Sequence, residues 1–144
     1  MRSFVYPAFL SPQKCRGFAV LFPDLPEAIT SGKNHAEALL QAADCLEEAI
    51  AVRIADGLDV PAPTVKRRNH VQVALSAPMA AKAALYLAIR QTGFTNSELG
   101  RKLGLDEKEI RRMLDPRHAT RLSRIQMALD FLGKRLVVSL DSAA

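Results

Sequence analysis

The sequence predicts an α+β chain in two parts: a small β-β-β-α-β module over residues 1–76, then an all-α helix-turn-helix module over residues 77–144 that ends in a strand. Three observations predict it. The first third alternates apolar and polar residues with a period of two, as half-buried strands do. From residue 78 the apolar spacing becomes helical, and capping residues cut it into short helices. The charge divides too: residues 1–64 carry five lysines and arginines against eight acids, and residues 65–144 carry fifteen against seven.

The strands come first. Phe4, Tyr6, Ala8 and Leu10 share one parity, and SPQKCRG (11–17) is a polar turn. GFAVLF (17–22) puts Phe18, Val20 and Phe22 on one face. The prolines of PDLP (23–26) force a turn, because a central ladder needs their missing N–H groups. EAITSG (27–32) is a short third strand. A helix follows, capped by Asn34 with Glu37 completing a capping box. Leu39, Ala43, Leu46, Ile50 and Ile54 form its apolar stripe, and Gly57 stops it. VPAPTVKRR (60–68) is a connection within this module or the start of the linker. HVQVAL (70–75) alternates again. PMAAKAALYLAIRQTG (78–93) is a helix with proline in its first turn and glycine at its end. The module boundary falls near residues 76–79. RLVVSL (135–140) is an apolar strand that pairs with its own copy across a two-fold axis or packs back on the first helix of its module.

The bulk properties exclude several classes. A chain of 144 residues, 49% hydrophobic and 24% charged, can fill a core. No apolar run approaches the ~20 residues that span a bilayer, so no membrane partner is expected. The first ten residues read as a strand and not a signal peptide, and a cytoplasmic location is expected. Cys15 and Cys45 have no metal-ligand spacing, so reduced thiols, no bound metal and no cofactor are expected. The net charge of +5 is concentrated in the second half, which suits a polyanion.

FTNSELGRKLGLDEKEIRRML (94–114) carries the functional signal. Thr95 and Glu98 form one capping box, with Phe94 stapling onto Leu99. Asp106 and Glu109 form a second, with Leu105 stapling onto Ile110. Gly104 suits a tight turn between them, Gly100 allows close helix approach, and Leu99, Leu103, Leu105, Ile110 and Met113 supply a core. This is the helix-turn-helix pattern. On the second helix Ile110, Met113 and Leu114 face inward, while Lys108, Arg111 and Arg112 face away. That outer face suits a major groove, where these side chains donate to guanine or phosphate. Asn96, Arg117, His118 and Thr120 join them as candidate DNA contacts, and Arg121 and Arg124 add donors for the backbone. Glu107 either accepts from a cytosine amine or assists the cap. Dimers fit this use, because two such helices about 34 Å apart read a palindrome.

No residue pattern points to catalysis. His35, His70 and His118 are scattered; Asp24 is the one acid near a strand end, with Glu27 in the same turn, and no further strand carboxylate joins them to hold two metal ions. Glu37, Asp44 and Glu48 form an acidic stripe on the helix of the first module. It is either a solvated face or a dock for a basic protein.

The stretches YPAFL and GFAVLFPDLPEAITSGKNHAEALLQAADCLEEAI resemble the N-terminal domain of HicB-family antitoxins of type II toxin–antitoxin systems. The strand pair, the FPDLP turn, the TxG strand end and the EAL-containing helix occur in that order. AKAALYLAIRQTGFTNSELGRKLGLDEKEIRRMLDPRHATRLSRIQMALDFLGKRLVVSL resembles the helix-turn-helix version of that family's C-terminal domain. The pair covers nearly the whole chain. One departure is Glu27-Ala28, where relatives often carry Gly-Cys. The resemblance implies a non-enzymatic antitoxin with a partial RNase H-like first domain that blocks a HicA-type mRNA-cleaving toxin. It also implies a second domain that represses the shared operon on double-stranded operator DNA, as a homodimer or higher homo-oligomer. The competing reading is a helix-turn-helix regulator whose first module senses a small ligand without a toxin partner. The missing Gly-rich phosphate loop weakens that reading.

Overall fold

The structure is a computed structural model that describes residues 1–142. It is α+β, with nine elements among the described residues: β1 (Val5–Pro12), β2 (Phe18–Phe22), β3 (Leu25–Gly32), α1 (His35–Ala55), β4 (His70–Ala74), α2 (Ala77–Thr92), α3 (Asn96–Leu103), α4 (Glu107–Leu114) and α5 (Leu122–Phe131). The chain divides into two compact units, Met1–Ala80 and Ala81–Ala144.

Unit 1 is a four-stranded sheet in the order β3-β2-β1-β4, with α1 packed on one face. All three strand pairings are antiparallel, with Phe9 opposite Leu21 on one side and His70 on the other. Tyr6, Ala8, Val20 and Phe22 are buried, as the alternation predicts, whereas Phe4, Leu10 and Phe18 of the same faces are half-buried. The third strand begins at Leu25, two residues earlier than expected, and includes Pro26. β3 is an edge strand, so proline's missing donor costs the ladder little there. Pro7 lies in the stretch of β1 that pairs with β4 but not with β2, and so leaves the β1–β2 ladder whole.

Helix α1 buries Ala38, Ala42, Leu46, Ile50 and Ile54. The predicted stripe is therefore corrected in its first half: Leu39 and Ala43 are only half-buried. A helix lying closely on a sheet favours the smaller side chain at its contact line. The Asn34 side chain accepts from the Glu37 N–H at 2.8 Å, as expected, but Glu37 returns its bond to the Lys33 N–H rather than to Asn34. Tyr6 donates its buried hydroxyl to the Pro61 carbonyl at 2.8 Å, and burial raises its pKa. Asp24 accepts from the Thr64 N–H at 3.0 Å, which fastens the connection after α1 to the β2–β3 turn.

Unit 2 contains α3, α4, α5 and most of α2 around one core: Leu85, Ile89, Leu99, Ile110, Met113, Ile125 and Leu129 are buried together. Both predicted capping boxes form, at Thr95–Glu98 and at Asp106–Glu109. Gly104 has φ 71°, and its neighbour Leu105 donates its N–H to the Gly100 carbonyl at 2.8 Å. Gly100 is buried, and a Cβ there would lie 2.6 Å from the Leu105 carbonyl oxygen, so the turn admits no side chain at that point.

The expected C-terminal strand over 135–140 does not form in the chain alone. Those residues have no regular structure. A strand requires a second strand to take its backbone hydrogen bonds, and none among the described residues is offered to it. Leu136 packs on the unit 2 core, whereas Val137, Val138 and Leu140 are exposed.

Candidate nucleic-acid interface and partner surface

The cationic ridge sits on α4. Asp106 accepts from the Glu109 N–H at 2.7 Å, and Glu109 accepts from the Asp106 N–H at 2.9 Å, so the helix start is fixed on both sides. Ile110 and Met113 are buried and set the rotation of the helix. That rotation turns Lys108, Arg111 and Arg112 outward, and all three are exposed. Arg111 lies 3.8 Å from Glu107 one turn earlier, and Glu107 also accepts from the Ser97 hydroxyl at 3.2 Å. Glu107 is thus engaged by α3 and by its own helix. Lys108 and Arg112 have no ion-pair partner among the described residues. Four basic side chains remain for an external anion across α4 and the loop after it: Lys108, Arg112, Arg117 and, at the start of α5, Arg121.

The remaining candidates fall into different settings. Asn96 is the first residue of α3 and half-buried. Arg117 is exposed, and its backbone N–H donates to the Asp115 carboxylate at 2.9 Å. His118 Nδ1 lies 3.3 Å from the Thr120 hydroxyl. Thr120 is turned inward: its hydroxyl meets the Lys82 ammonium at 3.1 Å and the Arg112 carbonyl at 3.4 Å. Arg124 reaches back to Glu109 at 3.4 Å and ties α5 to α4.

Sequence reasoning missed Lys82. It lies in an alanine-rich stretch of α2 where a lysine reads as the solvated face of the helix. In the structure it is only 3% exposed. Its Nζ donates to the carbonyls of Arg112 (3.3 Å), Met113 (3.2 Å) and Asp115 (2.7 Å) as well as to Thr120. Burial lowers its pKa, and the charge of Asp115 works the other way. No local sequence signal marks such a residue, because its acceptors come from a segment some thirty positions away.

Unit 1 presents a second surface. Glu37 is half-buried and occupied by its cap, whereas Asp44 and Glu48 point outward on α1. They are flanked on the same side of the helix by Leu40, 70% exposed, and Val52. Beside them runs edge strand β3 with exposed Ile29, and a groove lined by Ile29, Asp44, Glu48 and Val52 lies between strand and helix. Glu27 at the same edge is gripped by Arg53, whose hydrogen bonds hold its carboxyl below the ordinary range. Cys45 lies in the groove, and burial, with the charge of Glu27, raises its thiol pKa.

Among the described residues no three His, Cys, Asp or Glu side chains are placed to hold a metal ion. Asp24 and Glu27 already hold Thr64 and Arg53. No helix of the described residues is long and apolar enough to cross a membrane.

Comparison with known proteins bears on both units. Residues 5–84 match a family model described as a HicB-like antitoxin of bacterial toxin–antitoxin systems. The chain is 41% identical over 120 residues to antitoxin HicB 2 of Photorhabdus laumondii, covering 83% of this chain and 85% of that protein. It is 36% identical over 133 residues to antitoxin HicB of Escherichia coli K12, covering 91% and 95%. It is 31% identical over 141 residues to antitoxin HicB 1 of Photorhabdus laumondii, covering 98% and 90%. These relatives are named as antitoxins and not as enzymes. With a family model across its sheet module and relatives aligned through its helices, the chain belongs to the HicB-like antitoxin family of bacterial toxin–antitoxin systems.

Proposed function

We propose that residues 1–76 bind and block a HicA-type mRNA-cleaving toxin, and that residues 77–144 are a helix-turn-helix domain that represses the operon on double-stranded operator DNA. One observation carries the DNA reading: α4 is capped at its start, anchored by Ile110 and Met113, and bears Lys108, Arg111 and Arg112 outward. A short helix held that way can enter a major groove, where arginine and lysine donate to guanine and to phosphates. The toxin reading rests on family membership and on the groove beside β3. A toxin that grips RNA must be basic, and Asp44 and Glu48 offer it charge while Leu40, Ile29 and Val52 offer it apolar area. The element order of unit 1 suits the partial RNase H-like module of the family, without its catalytic carboxylates.

The exposed tail Val137–Leu140 supports homodimerisation, in which each copy supplies the strand partner that the other lacks. The protein acts in the cytoplasm, where toxin, message and operator all reside. The test is purification of the intact chain from its source cell, followed by identification of what it carries and by footprinting on its own promoter. A small basic protein and a protected palindrome are expected. A bound metabolite with neither would reject the proposal.

A further inference from the structure

We propose that Lys82 is a positioning residue for DNA binding, whose buried ammonium fixes the loop bearing Arg117 and His118 against the end of α4. The inference rests on reading unit 2 as the DNA-binding domain. The last carbonyls of a helix have no partner within it and form the negative end of its dipole. Here the carbonyls of Arg112 and Met113 near the end of α4 and that of Asp115 just past it converge on Lys82 Nζ, joined by the Thr120 hydroxyl; the Arg112 carbonyl also accepts from the Asp115 N–H at 3.2 Å and from Thr120. Four oxygens meet three protons, and the bonds to Arg112 and Met113 are the two longest, at 3.3 and 3.2 Å.

The convergence links both ends of a segment that has no regular structure. Asp115 opens the loop and Thr120 closes it, two residues before the start of α5. Between them stand Arg117 and His118, exposed and aligned by local bonds: the Arg117 N–H to the Asp115 carboxylate and the His118 N–H to the Asp115 carbonyl at 3.1 Å. Those bonds shape the loop, and Lys82 moors it to the helix that reads the groove. Thr120 thereby serves the site from inside, through Lys82.

A lysine is an expensive choice for this position if filling space were its only duty. Burying a charge has a large desolvation cost, and an apolar residue of similar shape often matches or exceeds it in stability. What methionine cannot do is hold three carbonyls and a hydroxyl in one arrangement.

The experiment compares the full chain with Lys82→Met, Lys82→Arg and Thr120→Val. The probe is a duplex spanning the promoter of its own operon, titrated over a series of salt concentrations well below the melting temperature of each variant. Lys82→Met is expected to bind about tenfold more weakly, with a salt slope shallower by about one, the phosphate contact of Arg117. Lys82→Arg should recover part of both, and Thr120→Val should fall between. If Lys82→Met does not fold, Thr120→Val decides. Wild-type affinity and slope in a folded Lys82→Met, or in Thr120→Val when the methionine variant is lost, would overturn the role. Failure of the wild type to bind the duplex removes the DNA reading itself and this inference with it.

Discussion

Arg53, near the end of α1, holds both carboxylate oxygens of Glu27 on β3, with Nη2 3.1 Å from Oε2. The same guanidinium donates to the Asp59 carbonyl at 2.8 Å, so one side chain joins strand, helix and following loop. Arg53→Met is expected to lower unit 1 stability by under ~1 kcal/mol, because Glu27 is 46% exposed. Glu27 is depressed in the folded state. Its contribution is therefore present above the unfolded carboxyl pKa and is lost as pH falls through the folded one. The gap between the melting curves of wild type and Arg53→Met should be widest at neutral pH and narrow in acid, leaving the part due to the Asp59 carbonyl bond. A constant gap down to the lowest pH would exclude this pair as the cause.

The two glycines of the α3–α4 turn should separate strain from contact. Gly104→Ala meets open space but must hold φ 71°, a cost of about 1–2 kcal/mol. Gly100→Ala places its Cβ against the Leu105 carbonyl and should cost about 1–3 kcal/mol while pushing the two helices apart. DNA affinity measured below melting should fall for Gly100→Ala and hold for Gly104→Ala. Equal affinities would count against a role for the α3–α4 angle.

On α4, Arg111→Ala and Arg112→Ala should each weaken operator binding, by ~1–3 kcal/mol where the side chain reads a base. A variant that loses only phosphate contacts should weaken all sequences alike and reduce the salt slope by about one. Glu107→Gln removes the carboxylate beside Arg111 and should leave binding equal or tighter. Unchanged affinity in both arginine variants would remove this face from consideration.

For the toxin surface, Asp44→Lys with Glu48→Lys should abolish co-purification of the basic partner while the fold persists, since both side chains are exposed. Glu37→Gln should behave differently. It weakens the bond to the Lys33 N–H and lowers stability by a few tenths to ~1 kcal/mol, with the partner retained. Retention of the toxin by the double lysine variant would exclude the groove.

Replacing Val137 and Val138 by aspartate should convert the protein to a smaller species in light scattering without changing its helical content. Both side chains are exposed in the single chain, at 56% and 77%. An unchanged mass would leave the tail without a role in assembly.

Local grammar carried much of this architecture. The two capping boxes, the turn glycine and the inward Ile110 and Met113 could all be read from spacing, because each partner lies within a few positions. The α1 stripe was harder. The run from Ala38 to Ala43 offers five apolar residues to two possible lines, and only packing on the sheet selects Ala38 and Ala42. Lys82 and the Glu27–Arg53 pair were invisible, since each depends on groups brought from distant parts of the chain. The tail is a different case: its composition is strand-like, but pairing is a property of two strands, and one chain supplies only one. Thr120 likewise meets a neighbour from a distant part of the chain, Lys82.

The central place of β1 bears on how the molecule matures. β2 follows β1 closely, but Val5 pairs with Ala74 and Phe9 with His70, so the sheet closes only when its last strand has emerged from the ribosome. Pairings that distant are expected to form late in folding. Completion of unit 1 is then timed by residues 70–74, and a chain stalled ahead of them would leave β1 with a bare edge.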